Sequence, residues 1–324
     1  MSDAEQVPDE SSVIRVAIGI CTHRRLEGLK SLLVSIAALD VPARSVLRVI
    51  VVDNDSTGSA EAALPQDFPL QITYAIEKMP GIPAARSRCV ALAENDDYIL
   101  FVDDDERVAA SWVVEMLASA QEEAADGVGG LVAYEYDSAP PRWIAEGGFF
   151  DAPATPHRAV IPFAATNNLL LHVPTLHRLG VTTFDGSLQF SGGSDVELTS
   201  RLVRAGARLV WHAHPLVTET VPAERISIRW CLKRAIRTGE GVARLRVGSF
   251  TPTLPQRLFI LVLGLAKVGG AFPALGVGAL QRNPAVVGRA VRGGMRGIGM
   301  ARFAFGRRGA EYASRHESGA GVTA

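Results

Sequence analysis

The chain has 324 residues, 48% of them hydrophobic, enough for a substantial buried core and for more than one average domain. A formal charge of -1 conceals a division. Up to Glu224 there are 16 Lys+Arg against 31 Asp+Glu, and beyond it 17 against 3, so an acidic front precedes a basic back of the kind that meets nucleic acid or an anionic membrane. Three cysteines, Cys21, Cys89 and Cys231, lie far apart with no CxxC pair, which supports neither a disulfide framework nor a cysteine-rich zinc site and leaves reduced cytosolic thiols.

Residues 1–12, MSDAEQVPDESS, are acidic and polar where a secretory signal needs a basic start and an apolar run, and they read as a disordered cytosolic tail. From Val13 short apolar runs alternate with helical segments: VIRVAIGICT, LEGLKSLLVSIAAL, LRVIVVDND, IPAARSRCVALAEN and YILFVDDDE. Continuous Val/Ile runs with helices between them predict an α/β fold, a mostly parallel sheet flanked by helices. Ligands of such sheets bind beyond the carboxyl ends of the strands, and three strand ends here carry polar clusters: CTHRR, DNDS and DDDE.

Residues 127–179 are richer in Pro, Gly and aromatics; PPRW and EGGFFDAP read as loops over the sheet edge that wall the acceptor side. FDGSLQFSGGSDVELTSRLVRAGARLVWHAHP predicts a loop, an amphipathic helix from about Asp195 to Ala205, a stop at Gly206 and a final strand. His212 and His214 alternate along that strand and so share a face, an arrangement open to zinc. No third ligand is evident in the sequence, and stacked or hydrogen-bonded histidines are the better reading. Past Pro252, LFILVLGLAKVGGAFPALGVGAL carries only Lys267 as a charge and is long enough to cross a bilayer. Gly269, Gly270 and Pro273 fit two half-length interfacial or re-entrant helices equally well. Arg282, Arg289, Arg292, Arg296, Arg302, Arg307 and Arg308 follow without an acid, which fits an anionic membrane surface at the cytoplasmic face. A nucleic-acid partner is not expected, because it leaves the apolar run unexplained.

The run Asp103-Asp104-Asp105-Glu106 follows a strand that should be buried on both faces. Four acids at one strand end repel one another unless a cation or a hydrogen-bond network neutralises them, and a hard divalent ion, Mg²⁺ or Mn²⁺, would do so. An acidic helix amino-terminus before ASWVVEMLASAQEE is the plain alternative. The glycine-rich GxGxxG of a dehydrogenase is missing where CTHRR stands, and a pyrophosphorylase would want a glycine-rich phosphate loop at the same place.

In order and spacing, VAIGICTHRR, VIVVDNDS, GIPAARSRCVALA with Arg86, and FVDDDE together resemble the nucleotide-sugar-binding half of family 2, GT-A fold glycosyltransferases, and the tail VTETVPAERISIRWCLKRAIRTGEG resembles bacterial exopolysaccharide members. The resemblance covers residues 13–219. It implies that Thr22, Arg24, Asp53 and Asp55 hold the nucleotide base, that Arg86 approaches base and diphosphate, and that Asp103 and Asp105 are the outer residues of the DXD motif, Asp103 and Asp104 on the nucleotide-sugar and Asp105 on the metal. Read alone, Thr22 and Arg24 suit a helix cap, Asp53 and Asp55 suit Asx turns, and Arg86 suits a helical pair with Glu94.

GGSDVELTSRL resembles the family's general-base segment, with Ser194 where relatives commonly carry Glu. Asp195 is then the base for the acceptor hydroxyl, Glu197 the reserve, and Gly193 a close contact of the ligand. A helix cap is the structural alternative for Asp195. Glu219 stands where many relatives bind metal through His, and Asn167 and Asn168 match a segment that touches donor sugar or acceptor. Arg225, Arg234 and Arg237 match a basic stretch near the diphosphate or membrane, or else form a solvated helix face.

The reading is an inverting, metal-dependent glycosyltransferase that moves a sugar from a nucleotide diphosphate-sugar, UDP-sugar foremost, to a saccharide or lipid-linked saccharide acceptor. A membrane-bound nucleotide-sugar-binding protein without turnover is the alternative. The expected domains are a catalytic region over 13–224, split at 110 into nucleotide and acceptor halves, a basic and apolar helical membrane-associating region over 225–310, and a disordered tail over 311–324.

Overall fold

A computed structural model describes residues 13–151, 154–189, 192–248 and 252–306. The tails expected over 1–12 and 311–324, with Arg307 and Arg308, lie outside the described residues. Two compact units are formed, divided after Ala133, before Ala154 and after Glu219. The segment from Tyr134 therefore belongs with the C-terminal helices and not with the sheet unit.

In the first unit, β1 (Ile14–Thr22), β2 (Ser45–Asp53), β3 (Gln71–Ile76) and β4 (Tyr98–Asp103) are mutually parallel, as their uninterrupted Val/Ile character predicts. The remaining strands are β5 (Glu106–Val108), β6 (Gly127–Tyr136), β7 (Asn168–His172) and β8 (Leu209–Val221), and the eight-stranded order is β3-β2-β1-β4-β7-β6-β8-β5. β7 runs antiparallel to β4 and to β6, and β5 antiparallel to β8, so the sheet is mixed beyond β4.

Alternate side chains of the parallel strands feed two cores. Val16, Ile18, Ile20, Val49, Val51, Leu100 and Val102 pack with Leu29, Leu32 and Ile36 of α1 (Leu26–Ala37) and with Trp112 and Met116 of α3 (Trp112–Glu122). On the other face Ile50, Val52, Ile99 and Phe101 meet Ala85 and Cys89 of α2 (Ile82–Leu92), Leu176 of α5 (Val173–Arg178), and Leu198 and Leu202 of α6 (Ser194–Arg204). The strands are thus covered on both sides, which removes their apolar faces from water and leaves their carboxyl ends as the open edge. Cys21 and Cys89 remain thiols, their sulfur atoms 3.7 Å apart.

The second unit contains α4 (Arg142–Ala145), α7 (Ile228–Val247), α8 (Leu254–Leu280) and α9 (Pro284–Ala304). Phe149 and Phe150, read from sequence as part of an acceptor-side loop, are buried here with Ile144, Ile226 and Cys231. Phe150 stacks on Trp230 at 5.5 Å, and the Arg234 guanidinium lies over Phe150, Trp230 and Tyr134 at 5.1, 5.3 and 5.8 Å. Arg225 and Arg237 also approach the Trp230 ring, so these three partly exposed arginines converge on one aromatic body.

α8 is one continuous helix through Gly269, Gly270 and Pro273, not two halves. Its ends are set by local chemistry: Thr253 and Gln256 form a capping box at the start, and Asn283 accepts the amides of Ala285 and Val286 to begin α9. The turn lies at the capped site, and Pro273 is carried inside the helix. α8 is the one described helix long and apolar enough to cross a membrane, and Leu258, Phe259, Val262, Leu265, Phe272 and Leu280 are exposed on it.

Candidate active site

The register of the parallel strands brings the polar clusters together. Thr22 ends β1 directly opposite Asp53 at the end of β2, and Cys21 lies opposite Asp103 at the end of β4. Residues distant in sequence therefore share one edge of the sheet.

Two layers can be distinguished there. The inner layer is hydrogen-bonded within the protein. Asp53, fully buried, accepts from the amides of Asp55 and Ala60 at 2.9 and 2.7 Å and from the Tyr74 hydroxyl at 3.0 Å. Asp55 in turn accepts the Thr57 amide and pairs with Arg24 Nε at 2.8 Å, and the guanidinium holds its carboxyl well below the usual carboxylate range despite burial. Asp53 and Asp55 thus form consecutive Asx turns. Arg24 adopts a positive φ of 54°, uncommon for a residue with a side chain. Thr22 does not cap α1; its hydroxyl donates to Asp104 at 2.8 Å. Asp104 is buried, and loss of hydration raises its carboxyl to about 6 against the opposing pull of Arg25 and Thr22.

The outer layer faces the crevice. Arg25 Nη1 bridges Asp104 at 2.9 Å and Asp105 at 2.8 Å. Those carboxylates hold its guanidinium above its ordinary pKa even though burial acts the other way. Arg86 on α2 pairs at 3.5 Å with Asp103, not with Glu94, and lies 6.0 Å over the Phe184 ring. The side chain of Asp103 keeps 41% of its surface open. Desolvation raises its pKa, Arg86 opposes this, and the charges of Asp105 and Asp195 add to the rise.

Asp195 enters from the first turn of α6. Gly192 and Gly193 both take positive φ, 71° and 85°, and the helix begins at Gly193 without a side-chain cap, so Asp195 is not the capping residue. Its Oδ1 accepts the adjacent Val196 amide at 2.8 Å. Glu197 is tied to Arg201 at 3.1 Å. The hydroxyl of Ser194 is buried without a hydrogen-bond partner.

Glu106 is the residue the sequence reading undervalued. Buried to 2% exposure, it accepts the Asp103 amide at 2.9 Å and the Asn167 side chain at 3.3 Å, and it lies directly across from Glu219 in the β5–β8 pair. Desolvation, followed by the charge of Asp103, raises its pKa well above the usual range. Acids opposed across a strand pair repel, and Asp103, Asp105 and Glu219 all act on Glu106. An all-oxygen, acid-rich set of this kind suits a hard divalent cation. Asn167 reaches this cluster, whereas the amide of Asn168 is committed to the core, accepting from Trp112 Nε1 at 2.9 Å and donating to the Leu131 carbonyl at 3.1 Å. The Glu106 signal was present in sequence as the fourth acid of the run; only strand pairing reveals its partner.

The family model for glycosyl transferase family 2 matches residues 17–180. The succinoglycan biosynthesis protein ExoM of Rhizobium meliloti (strain 1021) is 35% identical over 242 residues, covering 74% of this chain and 77% of that protein. The chain belongs to glycosyl transferase family 2. A solved mannosyltransferase, PcManGT from Pyrobaculum calidifontis in complex with GDP-Man and Mn²⁺, shares the fold with a TM-score of 0.57 at 16% identity, covering 90% of this chain and 88% of that one. The glycosyltransferase therefore has a GT-A-like fold; its matched segment contains the strand ends at Thr22, Asp53 and Asp103, while Asp195 and Glu219 lie beyond it.

Proposed function

We propose that this glycosyltransferase is an inverting enzyme that transfers a sugar from a nucleotide diphosphate-sugar, a UDP-sugar foremost, to a saccharide or lipid-linked acceptor in polysaccharide assembly. The observation that carries this reading is the pairing of Asp103 and Asp105 with Arg86 and Arg25 at the strand ends. The relation to a succinoglycan biosynthesis protein supports the acceptor class, and the mannosyltransferase complex with GDP-Man and Mn²⁺ supports the donor class.

In this mechanism the loop shaped by Asp53 and Asp55 receives the base, with Thr22 and Arg24 beside it, and Arg86 and Arg25 offset charge on the diphosphate. Asp105 and Glu219 would hold Mg²⁺ or Mn²⁺, with Asp103 and Asp104 toward the nucleotide-sugar; the ion supplies positive charge to the leaving diphosphate. Asp195 accepts the acceptor hydroxyl's proton as that oxygen attacks the anomeric carbon from the opposite face, which inverts its configuration. Asn167 and Gly193 border the sugar; Asn168 backs them from the core. Helix α8 and the exposed Arg282 and Arg289 seat the enzyme on an anionic membrane at its cytoplasmic face.

A panel of UDP-, GDP- and dTDP-sugars scored for nucleoside diphosphate release, with and without Mn²⁺, tests this. Release from one donor class, dependent on the ion and on acceptor, is expected. No nucleotide affinity by calorimetry with any divalent ion would overturn it.

A further inference from the structure

Away from the acidic crevice, the sheet unit brings together three histidines. His212 and His214 project from one face of β8, and His157 joins them from the segment that precedes the Val160–Val210 bridge. One ligand nitrogen from each lies within 4.8 Å of the others. The His157 and His214 rings stack at 4.8 Å, and His212 meets both edge-on at 4.8 and 5.3 Å. The third imidazole missing from the sequence pattern is therefore supplied by a distant loop.

That loop is fixed in place. The Arg158 amide donates to the Trp211 carbonyl at 2.7 Å, the Trp211 amide to the Ala159 carbonyl at 3.0 Å, and the Ile161 amide to the Leu209 carbonyl at 2.9 Å, so residues 158–161 are held along the start of β8 by backbone bonds around the Val160–Val210 bridge. His212 is 1% exposed; its Nδ1 is 2.9 Å from Ser119 Oγ on α3, and its Nε2 is buried with no hydrogen-bond partner. With the proton on Nδ1 toward Ser119, Nε2 keeps its lone pair free. A ring held by a hydrogen bond at one nitrogen and open at the other is the usual arrangement of a metal-ligating histidine. A buried polar atom left without a partner is otherwise destabilising. His214, exposed, leaves one side of the cluster open to water.

We propose that His157, His212 and His214 form a binding site for one borderline transition-metal ion, Zn²⁺ foremost, with water as the fourth ligand, that clips residues 157–160 to strand β8. Imidazole donors select this class of ion, whereas the oxygen-rich crevice selects a hard one. Tetrahedral coordination brings the nitrogens to about 3.3 Å from one another, and rotation about the broad terminal torsion of each ring closes the remaining gap. His157 receives the Ala213 amide at Nδ1 and the Arg158 guanidinium at Nε2, each at 3.3 Å, although a neutral imidazole has one acceptor nitrogen. A metal at Nε2 would take the ring's one lone pair and leave Nδ1 protonated, so both contacts are released on binding. Arg158 keeps its pairing with Glu122 and Glu123.

The test uses the full chain without a polyhistidine tag, stripped with chelator and titrated with Zn²⁺ by calorimetry, with metal content measured after desalting. One Zn²⁺ per chain is expected, undisturbed by millimolar Mg²⁺. The double variant His157→Asn/His214→Asn should lose it, Ser119→Ala should weaken it by about 10-fold, and His177→Asn, an exposed histidine elsewhere, should bind as wild type. Co²⁺ added to the wild-type chain should give the intense visible bands of a tetrahedral ion. Absence of those bands, or Zn²⁺ binding unchanged in a folded double variant, would overturn the proposal whatever the donor assays report.

Discussion

Within the crevice, the two acids of α6 differ in what they can still do. Glu197 is neutralised by Arg201 one helical turn on, while Asp195 stands at the glycine-lined entry and is felt by Asp103. Asp195→Asn should lower the transfer rate by about 10²–10⁴-fold with nucleotide affinity unchanged by calorimetry, and Glu197→Gln should have the smaller effect; the reverse order would reassign the base. The neighbouring asparagines separate in the same way. Asn168→Ala strands the Trp112 indole N–H and the Leu131 carbonyl in the core, at about 1–3 kcal/mol for each group left unpartnered, and urea unfolding should report it. Asn167→Ala, which touches Glu106, should instead register in the kinetics. The sequence made the strand-end residues legible because DNDS and DDDE are too polar to continue buried strands. It could not say that Asp53 and Asp104 bond inward while Asp103 and Asp105 face out, since that depends on neighbours such as Tyr74, Ala60 and Arg25.

Among the elements, α8 shows how glycines set helix packing in the second unit. A Cβ on Gly264 would stand 2.7 Å from the Gly297 carbonyl oxygen of α9, whereas Gly269 has nothing within 4 Å of such an atom. Gly264→Val should therefore destabilise the helical unit by about 1–3 kcal/mol, seen as a lower unfolding temperature in detergent. Gly269→Ala should raise that temperature, because alanine is the better helix former by about 1 kcal/mol. Equal effects at the two positions would contradict the packing described. The capping signals Thr253-x-x-Gln256 and Asn283-Pro284 were present in the sequence; the glycines and Pro273 drew attention to an interior break that the helix does not make.

For the molecule as a whole, the division of charge acquires two separate outlets. Asp103, Asp105, Glu106 and Glu219 gather in the crevice, where removal of divalent ions with EDTA should abolish transfer and Mn²⁺ or Mg²⁺ should restore it. The exposed apolar surface of α8, about 40 Å long by helical rise, exceeds a hydrocarbon core of roughly 30 Å. Membranes washed at high pH should retain the full chain if α8 spans and release it if α8 lies in the surface.

By itself the sequence determined the α/β alternation, the positions of the strand ends and the family, because buried parallel strands and ligand loops impose hydrophobic periods and polar interruptions that can be read locally. Tertiary structure decided which acids face each other, that Glu106 opposes Glu219, that His157 joins His212 and His214, and that the aromatic segment after Tyr134 packs with the C-terminal helices. Those outcomes rest on strand register and long-range packing, and no local pattern of residues encodes the partner of a side chain that lies a hundred positions away.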